Sequence, residues 1–477
     1  MDINNAPSLL EPKSRGGESA RCGFMFQDYF LVSQIPCWLQ YDGFASVICE
    51  AVGDIEVKLY TPGRGLNIEL IEVKDFNIGP SDFWNEIDRF YELDQGSPGT
   101  YRWFRLVAPA VSQTLAPLAN GLRRLQSAYH FYPEESGIAV NSLHEFVDVV
   151  SKAKKRKEYA EFIFRRVLLD TGHQPNPDHG ETLFRQNLGV CLPEYRSAHF
   201  EEVSSIYRAL LNLTTSPNTP ISRKEIEETM RLIPSGTLPP FSPVRLYTEH
   251  QGIDTEDRKE LVVNWSKFFG GGSRVYPGVA EWNSEVLGQL TEIGHFIHEF
   301  RNTRQLRVLG SRRLSASPAI GHAFPATGGF TLEIEHRDRI WSTDDHANKD
   351  TEYTLGIELA QGVGEALLVS IGIPNDIKDS VSMYAQKAYM ERFPLLSIFG
   401  REPVESAGQA NSIAAQVKAS IWRAVMQTGT SQIHLFCAIP SFLALLIGYR
   451  LNATPASVHC YEYTAHADYV PTCILEP

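Results

Sequence analysis

The stretch IHLFCAIPSFLALLIGYRL (433–451) constrains this chain more than any other. It is the most apolar run in the sequence, and its length invites a membrane span. Pro440 and Ser441 interrupt it. Proline is poorly tolerated inside a strand or helix, but it suits the turn that opens a helix. The run therefore reads as a buried strand over 432–440 followed by a helix over 441–451. Strands this apolar belong to parallel sheets covered by helices on both faces.

The same unit recurs after residue 281. LRVLGSRRL (306–314), GFTLEIEH (329–336), EALLVSIGIP (365–374), PLLSIFG (394–400) and SVHCYEYT (457–464) are strand candidates, and 376–391 and 407–427 have helical patterns. The expectation is a mainly parallel α/β sheet. Such sheets bind ligands just past the carboxyl ends of their strands, where helix N-termini accept phosphates. Small or polar residues stand at those ends: Ser311, Arg312 and Arg313 after one strand, Ser370 and Pro374 after another, and Pro440 after a third. Arg312 or Arg313 can pair with a phosphate, and Trp341 or Tyr461 can stack on a base. Each also has an ordinary reading, as a solvated arginine or a packed ring.

The N-terminal part has a different order. A helix over 23–40 precedes strands near 46–60 and 66–74, a helix around 82–93 and a strand over 101–109. That order predicts a mixed sheet flanked by helices. The second strand is β-branched and apolar, yet carries Glu72 and Lys74 near its end. Side chains two apart on a strand emerge on one face. Asp54 starts the preceding strand, and a hairpin brings it near the same end. Two carboxylates there can hold a hard cation such as Mg²⁺, and the lysine can offset charge on a phosphate. Glu50 and the helical Gln27 could complete the pocket. Glu-x-Lys also decorates many solvated strands, so the motif takes its weight from this context.

From 143 to 211 the signals are mostly helical. SKAKKRKEYAEFIFRR (151–166) is strongly basic, and Lys154, Lys155, Arg156 and Lys157 are either a solvated helix face or contacts to DNA phosphates. Pro/Gly-rich breaks divide the chain into 1–215, a helical connector over 216–280, and 281–477. The net charge of −13 argues against coating nucleic acid by bulk charge, but not against a local basic surface. Seven scattered cysteines without a CxxC pair suit free thiols in a reducing compartment. The N-terminus is polar and lacks an apolar h-region, so neither a secretory signal nor a membrane partner is expected.

Asp54 on one strand and Glu72-x-Lys74 on the next, preceded by GFMFQDYF (23–30), resemble the PD-(D/E)xK nuclease superfamily over roughly residues 15–110. Its core runs α-β-β-β-α-β, a restriction-endonuclease-like mixed sheet. The resemblance implies catalytic roles for Asp54, Glu72 and Lys74, support from Gln27 and Glu50, and metal ligands at Asp54, Glu72 and Val73. His434 to Pro440 (H-x-F-x-A-x-P), Gly448 to Asn452, Tyr461 to Tyr463, and Tyr469 to Pro471 resemble the SAVED domain over about 281–477. That domain fuses two CARF-like Rossmann units and senses cyclic oligonucleotides.

The combination resembles the CD-NTase-associated endonucleases of bacterial CBASS anti-phage systems. The resemblance implies a cytoplasmic, Mg²⁺-dependent enzyme that degrades duplex DNA with little sequence preference. It also implies a cyclic oligonucleotide messenger, commonly an adenine-containing cyclic trinucleotide, made by a partner CD-NTase. Self-association on ligand binding would follow. Two other readings compete: a restriction-type nuclease whose C-terminal half recognises modified DNA, and a non-enzymatic ligand-gated assembly protein.

Overall fold

The computed structural model describes residues 12–153, 157–214, 216, 218–231, 241–252, 258–271, 274–336, 339–345, 352–466 and 468–477. The chain divides into two compact units, Met1–Pro240 and Phe241–Pro477. Among the described residues, no helix is long and apolar enough to cross a membrane.

In the first unit, β1 (Phe44–Cys49), β2 (Ile55–Thr61) and β3 (Gly65–Val73) form an antiparallel meander. β4 (Tyr101–Ala108) and β5 (Val167–Thr171) continue it in parallel with β3, and the short β6 (Ile221–Ser222) pairs with β1 at the other edge. The order is β5-β4-β3-β2-β1-β6. β3 is buried on both faces because its side chains alternate between two cores. Leu70 packs with Phe83, Ile87 and Phe90 of the helix Pro80–Gly96. Ile71 and Val73 pack with Phe30, Leu31 and Trp38 of the helix Pro12–Leu39.

The strand expected near 46–60 is two strands, β1 and β2, separated by the turn Glu50–Asp54. Ala51 and Val52 in that turn are apolar and imitate strand. Glu50 breaks the ladder with a left-handed φ of 57°. β5 also falls inside a stretch read as helical.

The second unit holds two α/β halves. β7 (Val244–Glu249), β8 (Leu261–Asn264), β9 (Gln305–Gly310), β10 (Thr331–His336) and β11 (Arg339–Ser342) form a sheet of order β11-β10-β9-β7-β8. All but β11 run parallel. β12 (Gly356–Ala360), β13 (Ala366–Gly372), β14 (Leu395–Phe399), β15 (Gln432–Ala438), β16 (Ser457–Tyr463) and β17 (Tyr469–Leu475) form the other, ordered β12-β14-β13-β15-β16-β17. Its four central strands are parallel and its two edges antiparallel. The segment expected as a helical connector, 216–280, instead supplies β6 and the helix Arg223–Arg231 to the first unit, and β7 and β8 to the second.

The apolar run becomes β15 and the helix Ser441–Leu451, with Pro440 at the turn. This helix crosses the helix Ala316–Ala323 of the first half in backbone contact. A Cβ on Gly321 would run into the Leu445 carbonyl, and one on Gly448 into the Pro318 carbonyl. Reciprocal glycines therefore set how closely the two halves join.

Candidate functional sites

The turn between β1 and β2 builds the first site. The Glu50 amide donates to the Asp54 carbonyl at 3.0 Å, and Glu56 Oε1 accepts from the amides of Val52 and Gly53 at 2.6 and 3.2 Å. Gly53 is required by space: a Cβ there would lie 2.9 Å from Leu70 Cγ and 3.1 Å from Glu72 Oε1. The register pairs Ile55 with Ile71, which sets Asp54 against the end of β3. Asp54 Oδ2 accepts from the Val73 amide at 2.7 Å. Val73 thus enters the site through its backbone N–H, as the group that fixes Asp54. Lys74 is held in place by its amide, which donates to the Val107 carbonyl at 2.9 Å. Asp54, Glu72 and Lys74 are brought together at one sheet end.

Burial dominates the electrostatics. Burial, and then the neighbouring Asp54 charge, push the Glu72 carboxyl up to about 7. Burial raises Asp54 as well, against the lowering effect of the Val73 hydrogen bond. Glu50 is raised by burial, then by Glu72 and Asp28. Burial works against the Lys74 ammonium, but Glu86, Glu72 and Asp54 together hold its pKa above the ordinary value.

Crowded carboxylates of this kind are oxygen donors suited to a hard divalent cation. Glu50 Oε1 is enclosed without a hydrogen-bond partner among the described residues, as an unused ligand would be. The residues therefore fit a metal chemically. Among the described residues, however, no group of three or more His, Cys, Asp and Glu stands ready to hold an ion. Lys74 and Arg89 instead occupy the two oxygens of Glu72, at 3.4 and 2.6 Å.

Gln27 is half-buried on the helix Pro12–Leu39. The adjacent Asp28, which sequence reasoning passed over, has its charge felt at Glu50. Its signal was the lone charged residue, beside Gln27, in the stretch Phe24–Leu39 of that helix. Glu56, Glu86 and Arg89 were also missed. Of the basic cluster, Lys154, Lys155 and Arg156 lie outside the described residues, and Lys157 is exposed at the start of the helix Lys157–Arg166.

The second candidate site lies past β7 and β9. Ser311 Oγ is 3.1 Å from His250 Nδ1 and 3.3 Å from the fully buried Glu249 carboxylate. Arg312 Nη1 donates to Thr248 Oγ1 and the Leu309 carbonyl at 3.2 and 3.4 Å. Its Nε is enclosed without a hydrogen-bond partner among the described residues, and burial pulls its pKa down to about 10. Arg313 is engaged otherwise. Its Nη1 lies 3.6 Å from Glu462 Oε1, and its guanidinium sits 4.2 Å from the centre of the Phe269 ring.

Residues 289–475 match the SMODS-associated and fused to various effectors sensor domain. The chain carries a SAVED domain. It is also similar along its length to CD-NTase-associated protein 4 of an Acinetobacter species (28% identical over 472 residues, 98% of this chain and 99% of that one). The protein of the same name from Moraxella osloensis is 27% identical over 475 residues, with the same coverage. Among solved structures, the Acinetobacter baumannii Cap4 SAVED/CARF-domain containing receptor with the cyclic trinucleotide 2′3′3′-cAAA has a TM-score of 0.83 at 26% identity, covering 95% of this chain and 99% of that one. The expected kinship with the SAVED domain and with CD-NTase-associated proteins is thereby confirmed.

The SAVED domain places its remaining candidates unevenly. A cleft of about 360 Å³ opens past β13 and β14, lined by Pro374, Asn375, Asp376, Phe399, Gly400 and Arg401. Ser370 is buried within β13 opposite Ser397, and among the described residues both hydroxyls lack hydrogen-bond partners. Pro440 is partly exposed at the N-cap of its helix. Trp341 is buried against Phe442 and His336, with ring centres 4.4 and 4.9 Å away, so its face is not open to a base. Tyr461 stacks on Phe436 at 4.3 Å, and its hydroxyl lies 2.7 Å from His434 Nδ1. Both rings were candidates because aromatic residues near strand ends look alike in sequence; packing from distant elements separates them.

Proposed function

We propose that the chain is a messenger-activated DNA endonuclease of bacterial antiviral defence, acting in the cytoplasm. Its SAVED domain binds an adenine-containing cyclic trinucleotide made by a partner CD-NTase, and its first unit then hydrolyses double-stranded DNA with little sequence preference. The observation that carries this reading is the convergence of Asp54, Glu72 and Lys74 at one sheet end, in a chain that also carries a sensor domain. The similarity to a receptor whose structure contains a cyclic trinucleotide supports the choice of messenger.

Asp54 and Glu72 would hold Mg²⁺, with Glu50 at hand. A bound Mg²⁺ supplies Lewis-acid polarisation of the phosphodiester and a more acidic water. Lys74 places its ammonium beside these carboxylates, where it offsets charge developing on the phosphate. Burial of the pair keeps that charge contact strong, because little water screens it. In the sensor, Arg312 offers a buried guanidinium to a messenger phosphate.

The deciding experiment is plasmid integrity with Mg²⁺ and a panel of cyclic trinucleotides. Wild type should degrade the plasmid only when messenger and Mg²⁺ are both present. Lys74→Ala should lose cleavage by at least about 100-fold, as expected for removal of an electrostatic catalyst, while binding messenger normally. Cleavage by Lys74→Ala at the wild-type rate would remove the nuclease assignment. Cleavage without any messenger would favour a restriction-type enzyme.

A further inference from the structure

The helix Pro80–Gly96 carries Glu86 and Arg89 three residues apart, so both reach the same side. Glu86 Oε1 lies 2.8 Å from Lys74 Nζ, and its Oε2 lies 3.1 Å from Arg89 Nη1. Glu72 repeats the pattern, with Oε1 at 2.6 Å from Arg89 Nη1 and Oε2 at 3.4 Å from Lys74 Nζ. Four charges close a ring in which the signs alternate. The second arm of Arg89, Nη2, donates to the Val52 carbonyl at 2.7 Å, in the turn that presents Gly53 and Asp54. Arg89 therefore joins the helix, the end of β3 and the β1–β2 turn.

This ring bears on the metal site proposed above, and the inference rests on that reading. A divalent cation that takes Oε1 of Glu72 meets Arg89 there. Of the two cations Arg89 is the more open, with its side chain 36% exposed against 22% for Lys74. It can leave by side-chain rotation, whereas the more buried Lys74 ammonium is held by Glu86 at 2.8 Å. We propose that Arg89 is a positioning residue that acts as an ionic latch. It holds Glu72 and the Val52 turn while no metal is bound, and it yields Glu72 to the incoming cation while Glu86 retains Lys74. Arg89 pairing and metal binding then exclude one another, so by linkage removal of the Arg89 charge tightens metal binding. The same removal loosens the metal-free chain.

The test is calorimetric titration of Mn²⁺ into the full chain at pH 8, without DNA or messenger, for wild type, Arg89→Gln, Arg89→Lys and Asp54→Asn. Arg89→Gln should bind Mn²⁺ about fivefold to tenfold more tightly, the scale of one partly exposed charge contact. Its metal-free melting temperature should fall, and saturating Mn²⁺ should raise it by more than in wild type. Equal or weaker binding by Arg89→Gln, with Asp54→Asn still impaired, overturns the latch and leaves the metal site standing. No Mn²⁺ binding by any of these chains overturns both together. If Arg89→Gln does not fold, Arg89→Lys decides. Lysine ends in one nitrogen where Arg89 spans Glu72, Glu86 and the Val52 carbonyl with two, so this variant should also bind more tightly than wild type, by a smaller factor. Wild-type affinity in Arg89→Lys then overturns the latch.

Discussion

Arg312 and Arg313 are neighbours in the chain with opposite employment. Arg313 is clamped between Glu462 and the Phe269 ring, while among the described residues no ion pair holds Arg312. Arg312→Gln should therefore weaken messenger binding by about tenfold or more, the worth of a charge-assisted hydrogen bond, with little change in melting temperature. Arg313→Gln should do the reverse. It takes from Glu462, whose pKa burial already raises, the cation that lowers it most. That should cost about 1–3 kcal/mol of stability. Binding titrations and thermal melts of both variants check the pair, and equal losses of binding would refute the division. Sequence offered the two arginines as equals because their difference lies in Glu462 on β16, far along the chain. Asp54, Glu72 and Lys74 were more legible. Period-two alternation and a hairpin place them, and both are local rules. Glu86 and Arg89 were not legible, because only the packing of Phe83, Ile87 and Phe90 under β3 turns their helix toward the site.

At the level of elements, helix crossing decides how the two sensor halves meet. The helices Ala316–Ala323 and Ser441–Leu451 each follow a parallel strand, and Gly321 and Gly448 let their backbones touch. Gly448→Ala puts a methyl group into the Pro318 carbonyl region, and a backbone cannot move aside as a flexible side chain would. Overpacking of this kind should destabilise the unit by about 1–3 kcal/mol. The melting temperature of the full chain should fall, and messenger affinity with it, since the strand ends of both halves shift. An unchanged melt would show that the helices separate freely. The apolar strands β13, β14 and β15 were readable because burial on both faces leaves a continuous hydrophobic run. β5, β8 and β11 were not: they have 5, 4 and 4 residues, too few for a period to declare itself. The turn at Glu50–Asp54 was hidden for the opposite reason, because its apolar residues continue the pattern of the strands on either side.

For the molecule as a whole, the question is how a sensor would control the proposed nuclease. Uncontrolled cleavage would destroy the host chromosome, so the proposed enzyme must be silent without messenger. A ligand shifts such an equilibrium only through its different affinities for two states. Self-association supplies a second state with a clear physical advantage. Cutting a duplex requires two strand scissions, and tethering two nuclease units on one DNA raises the local concentration of the second active site. If the messenger stabilises contacts between sensor domains, assembly and cleavage should rise together with its concentration. Sedimentation of the full chain should show a monomer without ligand and larger species with saturating cyclic trinucleotide. Arg312→Gln should move both transitions to higher messenger concentration, whereas Lys74→Ala should abolish cleavage and leave assembly intact. Full cleavage by a chain that stays monomeric, on and off DNA, would place activation within a single molecule and rule out control by assembly.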